Sequence, residues 1–272
     1  MKKKCENICT VAVVQLKKTT LYCAIDEFTN EIEEIYTNRE KLTAFYEQVA
    51  EKYKLKCEYG LLFVEKLVMY SMFNKFRVNR GDADAFVNEK ILLYQWIKPI
   101  HLKLDGVYAQ NEKLSRSIND FIRIAKSNIP SVKTFYMMVA FENMFRKFGE
   151  DLEYDKMLSI VIFCLIKTKI KDLSLHIRFM RLFRREYFRP CDKECDHGFS
   201  MNVRCDCLVS KNWCGQDLYY LTTCEAALEF IERMEYYDLN VEVDEYNNKL
   251  SKKLEKLRLK ETPNNLSSFF KH

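Results

Sequence analysis

Glycine and proline are scarce in this sequence: six glycines and four prolines in 272 residues, against average usage of roughly 7% and 5%. Sandwiches, barrels and nucleotide-binding α/β folds spend those residues in their turns, so the scarcity favours an all-α protein. The glycines (Gly60, Gly81, Gly106, Gly149, Gly198 and Gly215) never cluster. That excludes a glycine-rich phosphate loop, and with it kinases, NTPases and dinucleotide-binding dehydrogenases. Long apolar runs are missing too. The longest, residues 157–166, is interrupted by Ser159 and falls well short of the about 20 residues of a membrane span. The run 11–16 contains Gln15, too short a core for a signal peptide. Charge of one sign is absent as well: 44 basic residues face 39 acidic ones, a net charge of +5. That is too mild for nucleic-acid binding on charge alone. No nucleic-acid partner is expected, and the chain is expected in the cytoplasm.

What is present is apolar periodicity. Hydrophobic residues make up 48% of the chain, which argues against a disordered segment, and a chain of this length buries roughly three quarters of its unfolded surface. Residues 1–25 fit either a strand, through Val11, Val13 and Val14, or a helix, through Leu16, Leu21 and Ile25. From there the pattern is helical: 26–59, 61–78, 84–97 and 111–127, expected to form an N-terminal bundle over 1–127. Pro130 then ends one helix and starts another over 131–148. Residues 155–168 are apolar on every face after the first turn, as in a helix at the centre of a bundle. A helix over 172–187 carries Leu173, Ile177, Met180 and Phe183. Thr222 and Glu225 have capping-box spacing and predict a helix start at 222, directly after the pair Tyr219-Tyr220. A last amphipathic helix is predicted over 242–259, inside a C-terminal segment 241–272.

Residues 184–214 stand apart as a cysteine-rich insertion. Cys191, Cys195, His197, Cys205, Cys207 and Cys214 are spaced C-x3-C-x-H-x7-C-x-C-x6-C. Thiolates and an imidazole in one short stretch suit a tetrahedral structural zinc, with four of the six at most as ligands. The alternative is a loop of inert free thiols; no other cofactor is required. The basic stretch 167–189 has two readings, a solvated face or an attraction to anionic lipid or an acidic partner.

Three segments, read together, resemble the Vps-nine domain, the helical exchange domain of Rabex-five-like factors acting on Rab-five-type GTPases. Pro130-Ser131-Val132-Lys133 is similar to the family's P-x-x-K opening. DKMLSIVIFCLIK, from Asp155, resembles its aspartate-led buried helix, and Leu173, Ile177, Phe179 and Phe183 continue that likeness. GQDLYYLTTCEAALEFIERM, from Gly215, resembles its G-E-x-x-Y-Y-(F/L)-T…F-I-E segment. The likeness covers about 129–236 and puts the exchange domain at 128–240.

The resemblance implies a guanine nucleotide exchange factor, catalytic without covalent chemistry, acting in endocytic or vacuolar traffic. It would sit in the cytoplasm, peripheral to early endosome or vacuolar membranes. Asp155 takes the position of the family's catalytic aspartate, which displaces magnesium and engages the P-loop lysine of the GTPase. Ser159, Tyr219 and Thr222 fall at GTPase-binding positions, while Tyr220 is assigned to the core. Ser159 replaces a usual proline, Lys169-Ile170-Lys171 replaces an N-P-P turn and His176 replaces an asparagine. By residue chemistry alone Asp155 also suits a helix macrodipole. Two other classes stay open: a catalytically inactive GTPase-binding scaffold and a zinc-dependent helical binding module.

Overall fold

The computed structural model describes residues 21–31, 39–52, 58–78, 82–109, 111–149, 152–185 and 215–258. Among these residues every regular element is helical, as the composition implied. The helices are α1 (Leu21–Glu31), α2 (Arg39–Lys52), α3 (Glu58–Val78), α4 (Asp82–Leu93), α5 (Asn111–Ile124), α6 (Pro130–Phe148), α7 (Tyr154–Thr168), α8 (Leu173–Phe183), α9 (Gln216–Arg233) and α10 (Val243–Arg258). Short 3-10 turns follow α4 and α9. In the ambiguous opening segment, 21–25 begin α1, as the helical spacing of Leu21 and Ile25 predicts; Val11, Val13 and Val14, on which the strand reading rests, lie outside the described residues.

Helix α7 is the axis of the larger core. Residues 160–166 are all buried, and α4, α5 and α9 pack around them. An all-apolar helix can only be covered from every side, and that requirement sets the architecture. Helix α5 lies along α6, where the Ser117 hydroxyl donates to the Ala140 carbonyl at 3.0 Å and Asn143 donates to Asp120 at 2.7 Å. Helix α10 closes one end: Tyr94 donates to the Met234 carbonyl at 2.6 Å and meets the Tyr246 hydroxyl at 3.1 Å.

A second core lies under α1, α2 and α3, where Phe28 stacks on Phe45 with centroids 4.0 Å apart. Helix α8 is the wall between the two cores. Leu173, Ile177 and Met180 face the first; Leu175, Phe179 and Phe183 face the second. The sequence reading grouped Phe183 with Leu173, Ile177 and Met180 as the apolar residues of this helix. The structure puts Phe183 on the opposite face from these three, because this 11-residue helix packs against a core on each of two sides and so carries two apolar stripes.

Two buried polar groups join the cores. The Glu65 carboxylate of α3, fully buried, accepts from the Ser131 backbone N–H at 3.0 Å and from Arg185 Nε at 2.9 Å. Ser131 lies in the first turn of α6, whose N-cap Ile129 offers no side-chain cap. Glu65 therefore caps α6 from another helix, filling an orphan donor and opposing the positive helix end. Lys133, in the P-x-x-K segment, is equally buried. Its Nζ donates to the Ile124 carbonyl at 2.7 Å and sits 2.9 Å from His176 Nδ1. Burial lowers its pKa to about 7.

Half of the cations of the basic stretch have a use that neither sequence reading gave them. Arg184 pairs with the buried Asp217 of α9, Arg185 with Glu65, and Arg181 with Glu225. Lys167 donates to the Gln95 carbonyl at 2.6 Å. These four cations hold helices together, while Lys169 and Lys171 of the same stretch are exposed and Arg189 lies outside the described residues. The turn that stands in for N-P-P has Lys169 and Asp172 at φ 54° and 61°, in the left-handed region. Non-glycine residues hold that region only when fixed from outside. Asn88 of α4 does so, donating to the Asp172 carboxylate at 3.1 Å and accepting from its backbone N–H at 2.9 Å.

Candidate functional site

Asp155 lies in the first turn of α7 and its side chain is exposed. The turn beneath it is rigid for three reasons. Met157 N–H bonds to the Glu153 carbonyl at 2.9 Å. Lys156 donates to the Lys103 carbonyl at 2.8 Å. Met157 and Ile160 are buried. Ser159 is one turn further along on the same face, half-buried, and α7 runs through it unbroken. A carboxylate is thus held out at a helix end that the core cannot release.

The neighbouring edge is the start of α9. Gly215 precedes this helix at φ 92°, a conformation that favours glycine, with open space where a Cβ would sit. The glycine of the third motif is therefore there for its backbone. Tyr219 and Tyr220 both lie within the helix. Tyr220 is buried and stacks on Phe141 with centroids 4.1 Å apart and planes 4° from parallel. Tyr219 is 47% exposed, and its ring centroid lies 6.5 Å from that of Tyr154. Partial burial, then the neighbouring Tyr154, push the Tyr219 hydroxyl pKa up. Leu218, also exposed, widens the patch. An acid bordered by exposed aromatic and aliphatic side chains has the make-up of a protein-binding surface.

The predicted helix start at Thr222 is wrong. Helix α9 opens at Gln216, and Thr222 is exposed in its interior, one turn beyond Tyr219. Its hydroxyl lies 2.9 Å from the Leu218 carbonyl and receives an Arg181 N–H at 2.9 Å. The Thr-x-x-Glu spacing has a different cause. Both members face α8, and one guanidinium holds them: Arg181 Nε donates to Glu225 at 2.8 Å and its terminal nitrogen also bonds that carboxylate. Those bonds raise the Arg181 pKa further.

The structure thus brings Asp155, Ser159, Tyr219 and Thr222 onto two packed helices, α7 and α9. It adds Tyr154, Leu218 and Arg181, which sequence reasoning missed. Tyr154 directly precedes the aspartate, but the pattern does not show that its ring meets Tyr219. Cys191, Cys195, His197, Cys205, Cys207 and Cys214 lie outside the described residues. Among the described residues no group of three or more His, Cys, Asp or Glu is placed to hold a metal ion. Cys164 and Cys224 are buried free thiols whose pKa burial drives up.

Comparison with known proteins gives this surface a family. Residues 114–236 match the vacuolar sorting protein 9 (VPS9) domain. The chain is also similar to the vacuolar protein sorting-associated protein vps901 of Schizosaccharomyces pombe, with 20% identity over 179 residues. That match covers 65% of this chain and 27% of the relative's length. Residues 114–236 are a domain of the VPS9 family, and Asp155, Ser159, Tyr219 and Thr222 all fall inside it.

Proposed function

We propose that the chain is a guanine nucleotide exchange factor for a Rab GTPase in vesicle traffic, its GTPase being of the Rab-five type. The observation that carries this reading is the exposed Asp155 carboxylate on the rigid start of α7, beside the Tyr154–Tyr219 patch. Bound GDP is held by phosphate contacts and by magnesium. A carboxylate brought into that site repels the phosphate and offers the P-loop lysine a replacement partner, so it stabilises the empty GTPase. Covalent chemistry is not needed. Ser159, Tyr219 and Thr222 supply contacts to the GTPase. The proposed location is cytoplasmic, peripheral to early endosome or vacuolar membranes; no described helix is long and apolar enough to cross a membrane. The test is fluorescent-GDP release across a panel of Rab GTPases. Acceleration with a Rab-five-type member supports the reading. No acceleration with any member leaves an inactive GTPase-binding scaffold, the alternative that Ser159 in place of proline favours.

Tyr219→Ala is expected to weaken GTPase binding by about 2 kcal/mol, as loss of an exposed aromatic anchor does. Tyr220→Ala is expected instead to lower the melting temperature, because that ring fills the stack on Phe141. Calorimetric binding and thermal unfolding of both variants check this, and exchanged effects would reverse the two assignments.

A structural zinc in the cysteine-rich insertion is a second proposal, supported by the Cys/His spacing alone. Protein purified without a His tag is expected to carry about one zinc per chain. Metal content near zero after refolding with zinc would discard it, together with the zinc-dependent binding module.

A further inference from the structure

We propose that Arg181 is a positioning residue of this surface, locking the Thr222 hydroxyl so that it offers the partner a hydrogen-bond acceptor and no donor. The consequence for exchange rests on the function proposed above; the locking itself does not.

A threonine in mid-helix divides between two χ1 rotamers, so an unassisted Thr222 would present its hydroxyl in more than one direction. Here the Oγ1 atom has two neighbours of opposite character. Arg181, reaching over from α8, places a terminal N–H 2.9 Å from it. The Leu218 carbonyl lies 2.9 Å away, one turn back in α9. A guanidinium has only donors and a carbonyl only accepts. The hydroxyl proton therefore goes to Leu218, and one oxygen lone pair goes to Arg181. What is left for a partner at this exposed position is the other lone pair.

The guanidinium is itself fixed. Two of its nitrogens bond the two carboxylate oxygens of Glu225, and its side chain is only 29% exposed. This fork geometry allows one side chain to grip Glu225 and Thr222 together; a lysine ammonium at the end of a flexible stem lacks the fixed geometry. The partner group that meets Thr222 is thus a donor, such as a backbone N–H, an amide or an ammonium. A carbonyl or carboxylate at that point would face a lone pair. Arg181 selects among partners in this way without necessarily touching them.

The test uses the full chain and the variants Arg181→Met, Arg181→Lys, Thr222→Val and the Arg181→Met/Thr222→Val double. Three-bond side-chain couplings of Thr222 in isotopically labelled protein report its χ1. One rotamer is expected in the wild type and rotamer averaging in both Arg181 variants. GDP release from the responsive GTPase is then measured for each. Arg181→Met and Thr222→Val are each expected to lower kcat/KM about 5- to 10-fold, the size of one lost hydrogen bond, through KM with kcat unchanged. Arg181→Lys is not expected to rescue. The double variant should be no worse than Thr222→Val, because Arg181 acts through the hydroxyl. An unchanged single rotamer in Arg181→Met, or losses that multiply in the double variant, would overturn the proposal. If the wild type releases GDP from no Rab GTPase, the exchange reading and the acceptor's role in it both fall, and the couplings alone decide the locking.

Discussion

Asp155→Ala is expected to lose GDP-release activity on the order of 100-fold or more, while unfolding within about 1 kcal/mol of the wild type. The small stability term is the loss of one exposed charge near a helix N-terminus. The large activity term is the loss of a charge-assisted contact to the GTPase lysine, about 3 kcal/mol when that contact forms away from water. The two separate because the side chain is exposed while Met157 and Ile160 beneath it are buried. Glu153, also exposed, stands at the N-cap just outside the helix and is not expected to substitute. Asp155→Asn preserves size and removes charge, so it should be nearly as damaging as alanine. Stopped-flow release of a fluorescent GDP analogue, paired with urea unfolding, measures both terms. Full activity in Asp155→Ala alongside an active wild type would end the aspartate mechanism for this protein.

Glu65→Ala should produce the largest loss of stability, about 3–5 kcal/mol, a substantial share of the roughly 5–15 kcal/mol that hold a domain together. The carboxylate is fully buried and serves two donors at once, the Ser131 N–H and Arg185. Removing it takes from the buried Arg185 side chain the carboxylate that it bonds here, and leaves a helix end without its cap. The pair itself need not be worth that much. Replacing both partners by apolar residues, Glu65→Leu with Arg185→Met, is expected to recover part of the loss, since breaking one side of a buried pair costs more than removing both. Chemical denaturation of the three variants decides. A loss below about 1 kcal/mol in Glu65→Ala would mean that the pair behaves as a solvent-screened surface bridge.

These two residues illustrate unequal legibility. Asp155 could be found because it opens a run with no polar face, and the burial of 160–166 follows from composition. The sequence reading assigned Tyr220 to the core without knowing that the pair lies within a helix; the stack on Phe141 is what places that ring inside. Glu65 carried no signal. It is one glutamate in an amphipathic segment, and its partners Ser131 and Arg185 lie 66 and 120 residues away. The same holds for the basic stretch. A string of arginines reads as a charged surface when the carboxylates that meet it, Asp217, Glu225 and Glu65, come from distant segments.

The sequence by itself determined the helical class, the central position of α7 and the likeness to the family whose domain spans residues 114–236, and through that likeness it nominated the four residues of the candidate surface. All of these are local properties: turn-residue content, 3.6-residue periodicity, and motifs read along one stretch of chain. Only the tertiary structure decided where α9 begins, that α8 faces two cores, that Tyr154 joins Tyr219, and that Thr222 answers to Arg181. The Thr222–Glu225 spacing shows the physical reason. A hydroxyl and a carboxylate three residues apart can satisfy backbone donors at a helix start or share a guanidinium on a helix face. The spacing is the same in both cases. Which one forms depends on whether another helix places an arginine within reach, and here α8 does.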